Sequence, residues 1–250
     1  MKPLFRNKLK QGDRLLGTLI TLPTPEIAEI FARAGFDWLF IDMEHSTLDP
    51  REAQRLIQAA GERVDCILRV PLNDEIWIKK ALDTGCTGLM IPQVNSLADA
   101  QRAVRFSKYP PQGTRSVGIT RAHGFGASSQ EYLANANEET VVIIQIEHKD
   151  AVMNLNEILT VEGIDAVFIG PYDLSSSMGL VGQLDHPEVK TAIEHVRQTC
   201  QKRGVPLGIF STSTRGAAQY LQEGYRLIAV SSDILMLVNS AEEIIKSLQH

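Results

Sequence analysis

Along the chain, short apolar runs rich in Val, Ile, Leu and Phe alternate with stretches of helical period. The runs at 15–22 (LLGTLITL), 37–44 (DWLFIDME), 65–72 (DCILRVPL) and 88–94 (GLMIPQV) predict strands. So do 140–147 (TVVIIQIE), 165–173 (DAVFIGPYD), 206–210 (PLGIF) and 225–233 (YRLIAVSSD). Between them lie segments such as TPEIAEIFARAG, DPREAQRLIQAAG, DEIWIKKALDTG and STRGAAQYLQEG. Most open on Thr, Asp or Ser and close on Gly, the residues that start and stop helices. Near-continuous apolar strands separated by helices require a parallel sheet covered on both faces. Eight such units predict an α/β fold, a single (β/α)8 TIM barrel over residues 1–250, with a doubly wound open sheet as the alternative.

One connection is long. Residues 108–129 carry Pro110, Pro111 and several glycines between the fourth helix and the fifth strand. Loops of that length in compact domains are functional or disordered. The stretch after it, QEYLANANEE, reads as a short helix.

Composition narrows the function. Of 250 residues, 44% are hydrophobic and 22% charged, as in ordinary globular proteins, and the net charge is −5. No Lys/Arg block exceeds a pair, so neither nucleic acid nor an anionic membrane is an expected partner. Cys66, Cys86 and Cys200 are odd in number and form no CxxC pair. They read as reduced thiols of a cytoplasmic protein. No apolar stretch is long enough to span a bilayer, and the basic start MKPLFRNKLKQG lacks the apolar run of a signal peptide.

In a barrel of this kind chemistry is built at the carboxyl ends of the strands. Strand 2 ends with Asp42, Glu44 and His45; strand 3 carries Arg69; strand 5 ends with Gln145 and Glu147; strand 6 ends with Asp173. All are embedded in or follow apolar runs, where an unpaired charge is expensive. Glu147 and Asp173 end adjacent strands and would repel unless a cation lay between them; oxygen donors suit Mg²⁺ or Mn²⁺. The alternative is that each only caps a helix. Arg69 is either half of an ion pair, for instance with Glu44, or a fork for a substrate carboxylate. Gln145 shares a strand face with Glu147 and is either a site residue or a satisfied core amide. His45, three residues after Asp42, is a general base oriented by that aspartate or a surface histidine. Gly170 lets a ligand approach the backbone. No lysine lies in a predicted strand, so a Schiff base has no obvious nucleophile. The hydroxyl-rich loops after strands 7 and 8 favour a carboxylate over a sugar phosphate.

At these residues the sequence resembles the HpcH/HpaI aldolase family, metal-dependent 2-oxo-acid aldolases of the phosphoenolpyruvate/pyruvate barrel superfamily. The resemblance runs almost end to end, through EIFARAGFDWLFIDMEHS, LRVP, GLMIPQV, YPPQGTRSVG, QIE and IGPYDLSSSMG. It implies that Glu147 and Asp173 hold a divalent metal (Mg²⁺ or Mn²⁺, or Co²⁺) and that His45, held by Asp42, is the acid/base. It further implies that Arg69 stabilises the oxo-acid carboxylate or enolate. Gln145 would contact bound pyruvate, and backbone amides from Gly170 through Pro171 and Tyr172 to Asp173 would receive its carboxylate. A homohexamer, a trimer of dimers with the last helix (ILMLVNSAEEIIKSLQ) packed on a neighbour, is implied too. Three positions depart from the family pattern: Tyr172 stands where Ala is usual, Ser116 replaces a glycine, and Phe125 replaces a Tyr. Tyr172 falls near the mouth; Ser116 and Phe125 fall in a loop assigned to gating or subunit contact.

The implied reaction is reversible cleavage of a 4-hydroxy-2-oxo acid, of the 4-hydroxy-2-oxoheptanedioate or 2-keto-3-deoxy sugar acid type, to pyruvate and an aldehyde. An oxo-acid decarboxylase, an acyl-CoA lyase of the same superfamily and a catalytically silent binding barrel stand as alternatives.

Overall fold

The computed structural model describes residues 4–249. Its strands are β1 (Leu15–Ile20), β2 (Trp38–Asp42), β3 (Asp65–Arg69) and β4 (Gly88–Ile91), followed by β5 (Val141–Ile146), β6 (Ala166–Ile169), β7 (Leu207–Ser211) and β8 (Leu227–Ser232). Each pairs in parallel with the next, and β8 returns to β1. The sheet is a closed (β/α)8 barrel, and the open-sheet alternative falls.

Caps fix where the helices begin. Asp49 accepts from the N–H groups of Arg51 and Glu52, and Glu52 returns the bond to the Asp49 N–H. Asp74, Ser96, Ser213 and Ser232 cap their helices through their own side chains.

Two apolar layers hold the barrel. The larger lies between strands and helices and includes Ile41, Leu68, Ile144 and Ile169. The smaller fills the barrel itself with the alternate residues Trp38, Phe40, Ile67, Ile143 and Phe168. Full burial of such side chains contributes about 1.5–3 kcal/mol each. Trp38 occupies space left by Gly17, where an added Cβ would lie 2.5 Å from the indole. A helix absent from the sequence reading, Phe5–Gln11, sends Phe5 and Leu9 into this layer and plugs the barrel at the amino ends of the strands.

Two local departures bear on the site. β6 stops at Ile169, because Pro171 opens the helix Pro171–Ser177; Asp173 therefore sits in a first helical turn and not on a strand. The long connection is braced and folded. Its Arg115 is buried over the rings of Tyr109 (4.6 Å) and Tyr132 (5.6 Å) and pairs with Asp83 at 3.1 Å. His123 lies between Tyr109 Oη (3.0 Å) and Thr120 Oγ1 (2.9 Å). Burial and the Arg115 charge hold this imidazole below its ordinary pKa. Among the described residues no helix is long and apolar enough to cross a membrane.

Candidate active site

The alternation along β2 turns Trp38, Phe40 and Asp42 to the inside of the barrel, and Arg69 enters from β3 beside them. Asp42 and Arg69 are both buried. The guanidinium forks onto the carboxylate: Nε donates to Oδ1 at 2.9 Å and Nη2 donates to Oδ2 at 2.7 Å. The planar fork that carboxylate recognition requires is thus used first inside the protein. Only Nη1 turns elsewhere, 3.5 Å from Gln145 Oε1. The Arg69 guanidinium also lies 5.2 Å from the Phe40 ring centroid.

Glu44 is the residue whose part the sequence left smallest. Its Oε2 comes within 3.2 Å of Arg69 Nε but off the N–H direction. That oxygen is buried with no hydrogen-bond partner. Burial pushes the Glu44 carboxyl up to about 7, against the pull of Arg69 and with a further push from Asp42 and Asp173. Glu147, which follows the end of β5, is also buried. It accepts from the backbone N–H of Gln93 at 2.7 Å and from the side-chain amide of Gln145. Burial raises it too to about 7; the Gln93 N–H opposes this, and Glu44 and Asp173 add to it. Asp42, Glu44 and Glu147 therefore share one guanidinium, and Asp173 adds its charge beside the two glutamates. Glu147 and Asp173 are the oxygen donors that could hold a divalent cation, with Glu44 close by.

Gln93 was not anticipated. It acts through its backbone, held at a φ of 54° that non-glycine residues rarely adopt, and a main-chain donor leaves no mark in side-chain chemistry. Gly170 has a reason distinct from the one expected: a Cβ there would lie 2.8 Å from Gln145 Nε2 and 3.0 Å from Glu147 Cβ. Its missing side chain makes room for the two groups that reach in from β5. The expected row of free backbone donors is shorter than the sequence suggested. Gly170 N–H bonds Ile146 O and Pro171 has none, which leaves the first-turn N–H groups of Tyr172 and Asp173.

Asp42 holds His45, but not by its ring. Asp42 Oδ1 accepts from the backbone N–H groups of Glu44 (3.0 Å) and His45 (3.3 Å), and its remaining capacity goes to Arg69. The turn that follows β2 carries the imidazole to the rim, with 63% of the side chain exposed and Nε2 3.9 Å from Glu44 Oε2. The expectation of an Asp–His dyad is replaced by a shared turn.

Asp42, His45, Arg69, Gln145, Gly170 and Asp173 line a cavity of about 240 Å³ with an apolar set that includes Tyr172; Glu44 and Glu147 are not part of that lining. A larger cleft of about 690 Å³ lies at the opposite end of the barrel, lined by Phe5, Asp65, Thr87 and Thr140. It holds none of the site residues, and strand polarity puts the chemistry in the smaller cavity. Phe125 lines that distant cleft, while Ser116 is solvent-exposed on the long connection.

The sequence matches the model of the HpcH/HpaI aldolase/citrate lyase family over residues 16–240. It is 40% identical over 242 residues to a hydroxypyruvate/pyruvate aldolase from Sagittula stellata, covering 96% of this chain and 95% of the relative. Identity is 39% over 245 residues to a 4-hydroxy-2-oxo-heptane-1,7-dioate aldolase from Escherichia coli, covering 97% and 93%. Among solved structures, an HpcH/HpaI aldolase/citrate lyase family protein from Burkholderia cenocepacia superposes with a TM-score of 0.95 at 35% identity, covering 98% of both chains. The match runs from β1 into the last helix and takes in every residue of the cavity, so the chain is a member of the HpcH/HpaI aldolase/citrate lyase family.

Proposed function

We propose that the chain is a class II aldolase, a carbon–carbon lyase that reversibly cleaves a 4-hydroxy-2-oxo acid to pyruvate and an aldehyde. The observation that carries this reading is the uncompensated carboxyl cluster. Glu44 and Glu147, both pushed up to about 7 beside Asp173, form an oxygen-only set in want of positive charge. Among the described residues no three His, Cys, Asp or Glu side chains are spaced to hold a metal unaided. Such a set fits a hard cation with few protein ligands and several exchangeable positions, as Mg²⁺ and Mn²⁺ accept. The buried Glu44 Oε2, which has no hydrogen-bond partner, and the room that Gly170 leaves for Gln145 and Glu147 support the fit.

Glu147 and Asp173 would hold the cation, with Glu44 beside them. Bound there, it supplies Lewis-acid stabilisation of negative charge developing on the 2-oxo oxygen. The chain's own groups do the rest. The first-turn N–H groups of Tyr172 and Asp173 receive the substrate carboxylate. Arg69 Nη1, the part of the guanidinium not spent on Asp42, supports the developing enolate, with Gln145 next to it. His45 at the rim takes the proton of the 4-hydroxyl. As C4 becomes a carbonyl the C3–C4 bond breaks, and its electron pair passes into the C2–C3 enolate. Protonation at C3 then gives pyruvate.

The same membership supports assembly with further copies of this chain. The helix Asp233–Leu248 leaves Leu237, Val238, Ile244, Ile245 and Leu248 exposed, an apolar face suited to a homohexamer.

Pyruvate release from a panel of 4-hydroxy-2-oxo acids, by metal-stripped protein with and without added Mg²⁺ or Mn²⁺, tests the function. Release that needs the ion and is lost in Glu147→Ala and Asp173→Ala is expected. Release that survives chelation, or none on any substrate, contradicts it. A decarboxylase of oxaloacetate-like acids would instead keep its activity in His45→Ala.

A further inference from the structure

The cavity is chemically two-sided. Its charged residues come from β2, β3 and the turns after β2 and β6. Phe40 and Phe168, from β2 and β6, belong to the barrel's inner apolar layer, and the other apolar residues Leu19, Pro171, Tyr172 and Phe210 come from β1, the connection after β6 and β7. Because the strands close in chain order, Asp42, Arg69 and Gln145 lie on the β2–β5 arc of the mouth and Leu19 and Phe210 on the β7–β1 arc, with Tyr172 and Asp173 adjoining after β6. Among the described lining residues Arg69 is the only Lys or Arg, and two of its nitrogens are committed to Asp42. A substrate held by its 2-oxo acid end on the charged arc extends its aldehyde half along the other arc. Tyr172 is the natural cover of that arc. It adjoins Asp173, remains 46% exposed and brings a full aromatic ring to the rim. Its hydroxyl offers no charge.

We propose that Tyr172 makes this arc an apolar wall that selects 4-hydroxy-2-oxo acids whose aldehyde half is uncharged. The inference rests on the aldolase reading above. A second carboxylate, such as that in the heptanedioate named for the Escherichia coli relative, would lose its water against Leu19, Phe210 and Tyr172 with no lysine or arginine of the cavity lining on that side. An uncharged tail of the same length loses nothing by the transfer and gains apolar contact. Tyr172 is thus the residue that sets this chain's choice of aldehyde.

The test compares 4-hydroxy-2-oxoheptanoate with 4-hydroxy-2-oxoheptanedioate, matched in length and differing in the terminal carboxylate. Wild type is expected to favour the monoacid by about 100-fold in kcat/KM, the scale of an unpaired desolvated charge. Tyr172→Phe keeps the ring and is expected to keep that ratio. Tyr172→Ala admits water to the tail and is expected to reduce the ratio to within about 10-fold. Equal or better turnover of the diacid by wild type, or a ratio unmoved in Tyr172→Ala, overturns the inference. So does a ratio that collapses in Tyr172→Phe, since the hydroxyl and not the wall would then be selecting. Exchange of the pyruvate methyl protons in D₂O, which needs no aldehyde, separates the two readings. Exchange without discrimination overturns this proposal alone; loss of both exchange and cleavage overturns the aldolase reading with it.

Discussion

The two ends of the barrel treat buried charge in opposite ways. At the amino ends of the strands Asp165 is buried, pairs with Arg6 and also accepts from the N–H of Val142 at 2.9 Å. Lys108, also buried, donates to the carbonyls of Asn137 and Thr140, both at 2.7 Å. Both of these charges have protein partners, and the surrounding Trp38, Phe5 and Leu9 form a packed plug. At the carboxyl ends one guanidinium serves Asp42, Glu44 and Glu147, with Asp173 close to the two glutamates, and a buried Glu44 oxygen has no hydrogen-bond partner. A fold that needed only stability would neutralise both ends alike. The end left under-compensated is the one where a cation and a substrate complete the arrangement.

Substitutions can break this contrast from either side. The largest effect is expected for Glu147→Gln, which keeps the shape and removes a charged donor. Pyruvate formation should fall by roughly 10³-fold, the worth of several kcal/mol of charge stabilisation, with the circular dichroism spectrum retained. Arg69→Lys should follow. A lysine cannot fork onto Asp42, so kcat/KM is expected to fall by about 10²-fold and unfolding free energy by about 3 kcal/mol, read in urea titrations.

A pair of glycines sharpens the comparison. Gly170→Ala would push on Gln145 and Glu147, so Mn²⁺ affinity measured by calorimetry is expected to weaken by about 10-fold to 100-fold. Gly17→Ala would push on Trp38 at the closed end. It is expected to cost about 2 kcal/mol of stability by overpacking while the folded fraction keeps its affinity and activity.

The smallest expected effect is on stability against pH. A carboxyl raised in the folded protein binds protons there that the unfolded chain has already released. Between about 4.5 and 7, set by the raised values of Glu44 and Glu147, the metal-free protein should therefore lose stability as pH rises. A fall of a few degrees in Tm between pH 5 and pH 8 is expected. Mn²⁺ should restore more of it at pH 8 than at pH 5, since the ion competes with the protons.

The sequence carried much of this, for identifiable reasons. Apolar runs and helix-capping residues recur with the period of the fold, so all eight strands could be placed from local pattern alone. Their ends were less legible: 165–173 reads as one strand, yet Pro171 turns its last part into a helix. Charged residues inside apolar runs marked Asp42, Arg69 and Glu147, because burial of a charge needs a reason that sequence already displays. What escaped were relations set by the barrel's closure. The Arg69 fork onto Asp42 depends on β2 and β3 lying in register. The Gln93 donor is main chain, and the plug Phe5–Gln11 has its partners far along the chain. The Asp42–His45 spacing suggested a dyad, but it cannot report which way a turn carries the imidazole.

The most direct measurement is calorimetric titration of Mn²⁺ into metal-stripped protein between pH 6 and pH 8, in buffers of differing ionisation enthalpy, for wild type and Glu147→Gln. The expected result is one site per chain, with affinity rising with pH and protons released near pH 7. The variant should lose most of both. No binding, or binding that Glu147→Gln leaves unchanged, would contradict the assignment of the under-compensated end as the site that holds the ion.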